Sequence, residues 1–97
     1  MIRHTVSFTL KHPQGSAKEA AFLRDARALA DIPSVKKFER LRQVSPKNAY
    51  HFGFSMEFDD QAGYQAYNIH PIHEAFVRDR WVPEVADFLE TDYSALG

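Results

Sequence analysis

Apolar and polar positions alternate with period two at the start of the chain. Ile2, His4, Val6, Phe8 and Leu10 fall on one face, and Arg3, Thr5, Ser7, Thr9 and Lys11 on the other. This predicts a strand with one buried face. His4 stands on the apolar side. After a turn at "HPQG", the period changes to 3.6. Ser16 opens the capping box "SAKE", in which Glu19 reaches back to the start of the helix. The helix is predicted to run to about Ala30, with Phe22, Ala26 and Leu29 on its apolar stripe, widened by Leu23 and Ala30, and Pro33 stops it. Period two returns twice. "SVKKFERLRQV" reads as an amphipathic strand, with Phe38 and Val44 on one face and Val35 and Leu41 on the other. "YHFGFSMEF" is a stronger one, with Tyr50, Phe52, Phe54, Met56 and Phe58 on one face and His51, Gly53, Ser55 and Glu57 opposite. Pro46 and Asn48 make the turn between them.

Asp59 or Asp60 caps a helix to about Asn68, on which Tyr64 and Tyr67 share a face. Pro71 suits the first position of a second short helix ending around Trp81–Pro83, with Ile72, Ala75 and Phe76 as its stripe. "ADFLETDY" closes the chain as a strand. The order is β-α-β-β-α(α)-β. The expected fold is α+β: one ferredoxin-like βαββαβ sandwich over residues 1–97, a four-stranded antiparallel sheet with helices on one face.

Composition narrows the functions. The chain has 97 residues, enough for one core and a small cleft. Its net charge is −1 with no basic stripe, so no nucleic-acid partner is expected. There is no cysteine, which excludes iron–sulfur clusters and thiol nucleophiles. "MIRHTVSFTL" lacks the apolar run of a signal peptide or membrane span, so a cytoplasmic chain without a membrane partner is expected. No cofactor is expected.

The histidines and tyrosines of "YNIHPIHEAF" are the candidate chemistry. Tyr67 and His73 sit on helices that pack over the strand face carrying His4. Burial and the first-turn position both favour neutral His73, which suits a general base. Tyr67 can donate to a developing enolate oxygen. Val6, Phe8, Phe22, Phe52, Phe54, Met56, His70, Phe76 and Trp81 are expected to line the pocket around them. The plainer reading stays open beside this one: a first-turn histidine bonded locally and a packed tyrosine. His70 and His73, three apart, would need His4 as a third metal ligand and lack a carboxylate, so no metal site is assigned. His51 is assigned to the opposite sheet face and His12 to an exposed turn.

"MIRHTVSFTLK", "IPSVKKFE", "NIHPIHEAFV" and "LETDY" together resemble the stress-responsive α/β-barrel (Dabb) domain over almost the whole chain. The "HPxHxxF" element is the most specific part. The resemblance implies a homodimer in which two sheets face each other as a barrel, and a possible small organic ligand. Most members have no assigned activity. A plant branch similar to olivetolic acid cyclase closes a polyketide by aldol condensation, and its acid–base pair corresponds to Tyr67 and His73, with His4 matching a strand-one histidine. The sequence departs from that branch at Phe52, where the cyclase has a histidine, and near Asp25, where it has a tyrosine. Two functions follow: a small-molecule-binding homodimer, or a cyclase-like or isomerase-like enzyme using Tyr67 and His73.

Overall fold

The computed structural model describes residues 1–97. Strand β1 (Ile2–Leu10) is followed by helix α1 (Ala17–Asp25), which tightens into a 3₁₀ segment (Ala26–Asp31). Strands β2 (Lys36–Arg42) and β3 (Phe52–Phe58) come next, then helices α2 (Gln61–Asn68) and α3 (Pro71–Phe76). A π turn (Val77–Trp81), the short helix α4 (Val82–Glu84) and strand β4 (Val85–Tyr93) complete the chain. The four strands form one antiparallel sheet in the order β2-β3-β1-β4, and the α+β sandwich is ferredoxin-like.

The alternation of β1 and β3 becomes packing. Val6 lies opposite Phe54, and Phe8 opposite Phe52. The helices cover this face, and Phe8, Phe22 and Phe58 are 0% exposed. Phe8, Phe22, Phe54 and Trp81 form one aromatic cluster, with Phe8 and Phe54 edge to face at 4.7 Å. Such burial is the main driving force of folding, each ring contributing roughly 2–3 kcal/mol.

Local chemistry moves several predicted boundaries. Ser16 accepts from the Glu19 amide at 3.2 Å, as the capping box requires. The Glu19 carboxylate, however, accepts from the Gly15 amide at 3.1 Å, one residue further back. Gly15 takes a positive φ of 78°, which glycine adopts without strain. The α1 helix gives way to 3₁₀ geometry because Pro33 holds Ile32 extended, and the last turns tighten around that exit. Strand β3 starts at Phe52, not Tyr50. The Asn48 carboxamide oxygen accepts the Tyr50 N–H, and the Gln43 side chain donates to the Tyr50 carbonyl.

Strand β2 departs furthest from expectation. Lys37 has φ +52°, and the pairing with β3 slips between Lys36 and Glu39. Phe38 therefore packs inward on Phe54 at 5.6 Å, while Val44, its predicted face partner, lies beyond the strand and is 84% exposed. The α3 helix extends past Phe76 through a π turn, where the Val82 N–H reaches the Val77 carbonyl, five residues back. Pro83 follows immediately and has no N–H to continue an ordinary ladder.

Candidate functional site

A cavity of about 500 Å³ opens between the sheet and the second helical layer. Eight of the residues expected around a pocket line it: His4, Val6, Phe54, Met56, Tyr67, His73, Phe76 and Trp81. Four others stand elsewhere. Phe8 and Phe22 are sealed in the core behind it, and Phe52 lies at the far end of the sheet beneath the Arg42 guanidinium. His70 is a helix cap whose Nδ1 accepts from the Ile72 N–H at 3.1 Å. The wall is completed by residues the sequence did not single out, among them Tyr64, Val82, Phe88 and Glu90. The π turn matters here, because its wider spiral carries Val77 and Trp81 to the cavity wall.

Tyr67 is 4% exposed, and its ring lies 4.2 Å from that of His73 and 6.0 Å from that of His4, centroid to centroid. Its hydroxyl has no hydrogen-bond partner in the chain and is not sealed off. The one sealed, unpartnered side-chain atom in the molecule is Ser34 Oγ. Burial raises the Tyr67 phenol well above its ordinary range, and Glu90 adds to the effect. The group therefore keeps its proton at neutral pH.

His73 is fixed by its neighbour in sequence. Its Nδ1 lies 3.1 Å from the Asn68 carbonyl oxygen. A carbonyl only accepts, so Nδ1 carries the proton and Nε2 is the lone-pair nitrogen of the neutral ring. Burial lowers the affinity of His73 for a second proton, and the Asn68 hydrogen bond opposes this in part. A neutral base beside a protonated phenol is the result.

His4 is held by a cluster that includes two unanticipated residues. Its Nδ1 lies 2.6 Å from Asp92 Oδ1, while the Tyr64 hydroxyl donates to Asp92 Oδ2 at 2.9 Å. The Tyr64 oxygen is also 2.8 Å from His4 Nδ1. Burial and the Asp92 carboxylate both raise the Tyr64 phenol, so it remains a donor. Antiparallel pairing of β1 and β4 makes this possible, setting His4 opposite Asp92 and Val6 opposite Glu90. The signal was present in "ADFLETDY" as a period-two pattern of Phe88, Glu90 and Asp92, but its face could be named only once the register to β1 was known.

The remaining histidines serve other ends. His12 is not an exposed turn residue. Its Nε2 lies 2.7 Å from Glu84 Oε1, and Glu84 also binds Arg80, which reaches Asp25. His51 pairs by its backbone N–H with the Phe8 carbonyl at the start of β3. No group of three or more His, Asp or Glu residues is arranged to hold a metal ion.

A family model for the stress-responsive A/B barrel domain (Dabb) matches residues 2–95. The chain belongs to this family. A Dabb family protein with a ferredoxin-like fold from Mesorhizobium loti is 65% identical over 99% of this chain and 97% of its own, with a TM-score of 0.98. A dimeric ferredoxin-like protein of unknown function from Thermobifida fusca is 22% identical over 97% of this chain and 90% of its own, with a TM-score of 0.79. The hydroxynitrile lyase of Passiflora edulis is 16% identical over 95% of this chain and 90% of its own, with a TM-score of 0.81. At such identities the last two show a shared fold alone. No curated protein matches the chain. No helix is long and apolar enough to cross a membrane.

Proposed function

We propose that this Dabb protein is a homodimer that binds a small organic molecule in the cavity between sheet and helices. The observation that carries this reading is the cavity itself: mostly apolar walls, with His4, Tyr67 and His73 as convergent polar groups. Its ligand has an apolar body and a polar head directed at Tyr67 and His73. Self-association is supported by the outer sheet face, where Leu41, Leu89 and Tyr93 are about half exposed among polar neighbours. The Thermobifida fusca relative is described as dimeric.

A second reading is favoured by the state of the Tyr67–His73 pair. Neutral His73 can take a proton from carbon beside a carbonyl, while the Tyr67 hydroxyl donates to the enolate oxygen that forms. Enolisation, aldol cyclisation and isomerisation need only these two groups.

The test is a thermal-shift screen against small neutral and acidic aromatics, run on wild type, Tyr67→Phe and His73→Gln. Stabilisation of the wild type with loss of the shift in both variants supports the pocket. Equal shifts in all three, or none in any, count against it. Sedimentation equilibrium of the unliganded protein checks the dimer, and a monomer at micromolar concentration removes that part.

A further inference from the structure

The polar groups of the cavity also restrict the charge and hydrogen-bonding character of what can enter it. No lysine or arginine lines the wall, whereas Glu90 does, and Asp92 stands behind His4. A carboxylate or phosphate drawn in would lose its hydration without gaining a cation, which is costly. The two imidazoles give the second restriction. Nδ1 of His73 faces a carbonyl and Nδ1 of His4 faces the Asp92 carboxylate, neither of which can donate, and the Tyr64 hydroxyl, though 2.8 Å from His4 Nδ1, gives its proton to Asp92. In the neutral form of each ring, Nε2 is a lone-pair acceptor. Neither Nε2 has a partner in the chain, and neither is sealed from solvent. The Tyr64 hydroxyl fixes the far side of the His4 lock by donating to the other oxygen of Asp92. His4 cannot turn over to offer an N–H without breaking the bond to Asp92.

Two fixed acceptors call for two donors. We propose that the cavity is built for a neutral diol: an apolar ring or chain bearing two separated hydroxyl groups, one donating to His4 Nε2 and one to His73 Nε2. Tyr67, in ring contact with both imidazoles, is positioned to pair with one of those hydroxyl oxygens. Asp92 and Tyr64 act as positioning residues for His4. The inference rests on the pocket reading above and adds the ligand's class to it.

Calorimetric titration at pH 8 with three probes tests the inference: 4-(2-hydroxyethyl)phenol, 4-ethylphenol and 4-ethylbenzoate. The diol binds tightest, 4-ethylphenol binds about tenfold more weakly because one acceptor is left unpaired, and 4-ethylbenzoate does not bind. Asp92→Ala brings the diol to the level of 4-ethylphenol. Should that variant fail to fold, long-range ¹H–¹⁵N correlation of the histidine rings in the wild type reads the same feature directly. Both His4 and His73 are expected as the Nδ1–H tautomer. An Nε2–H tautomer at His4, or an Asp92→Ala variant that keeps the preference for the diol, overturns the assignment. Binding of 4-ethylbenzoate as tight as the diol overturns the ligand class but leaves the pocket standing. No binding by any of the three overturns both.

Discussion

The helix-facing side of the sheet has two ends of opposite character. At one, Phe8 of β1 meets Phe52 and Phe54 of β3 under Phe22 of α1, and the charged groups that touch these rings, Arg42 over Phe52 and Arg80 over Phe22, lie on their outer faces. At the other, His4 of the same strand meets Asp92 of β4 under Tyr64 and Tyr67 of α2, and Phe88 and Glu90 beside it stay exposed. Both ends obey the same alternation. They differ in what lies across from β1 and above it. One end stores stability in close-packed rings. The other keeps a cavity with its polar groups fixed in place, and the fold holds both on one nine-residue strand.

Breaking the sealed end has the largest effect. Phe22 touches Phe8, Phe76 and Trp81, with ring centroids 5.9, 5.4 and 6.3 Å away, and has no exposure. Phe22→Ala is expected to cost about 3–5 kcal/mol in denaturant unfolding, from lost transfer energy plus the cavity it leaves. A loss below ~1 kcal/mol would mean that this end is not the store of stability. At the open end Tyr64→Phe removes one hydroxyl but keeps the ring stacked on Phe58 at 4.9 Å. The expected cost is about 1 kcal/mol, one charge-assisted hydrogen bond in a partly exposed site. The contrast between these two variants is the comparison in energetic form, and equal losses would erase it.

A still smaller change is expected at the sheet edge, away from both ends. Lys37 occupies the left-handed region at φ +52°, where a side chain is strained and glycine is not. Lys37→Gly is expected to leave stability unchanged or raise it by roughly 0.5–1 kcal/mol, since relief of strain outweighs the loss of an exposed pair with Glu57. Unfolding by urea decides the sign, and a loss of more than about 1 kcal/mol would show that the bulge needs its lysine.

That bulge also explains what the sequence could not disclose. Strands β1 and β3 were legible because four apolar residues at strict period two in each have one sensible orientation. In β2 one residue out of register at Lys37 separates Phe38 from the alternation that follows, and no local pattern announces it. The site divides in the same way. Tyr67, His73 and His4 were legible because two lie beside a proline-started helix and one on an apolar strand face. Tyr64 and Asp92 were not singled out, because their role depends on a pairing between residues at opposite ends of the chain. His70 was misread as pocket-lining because a histidine before a proline-started helix serves equally well as its cap.

The smallest effect separates the two ends by pH. Burial holds His73 below the ordinary imidazole value of about 6.5, so the folded ring resists a proton that the unfolded chain accepts. The unfolded state then binds more protons, and stability falls as pH drops through and just below that value. Above it both states are neutral and His73 makes no pH-dependent contribution. Thermal unfolding of wild type and His73→Gln from pH 8 to pH 5.5 measures the difference. The variant's profile is expected to be flatter near pH 6, while Phe22→Ala keeps the wild-type slope at a lower level throughout. A His73→Gln profile parallel to wild type would mean that the imidazole is hydrated in the folded protein. The open end would then lack the buried neutral base on which its chemistry depends.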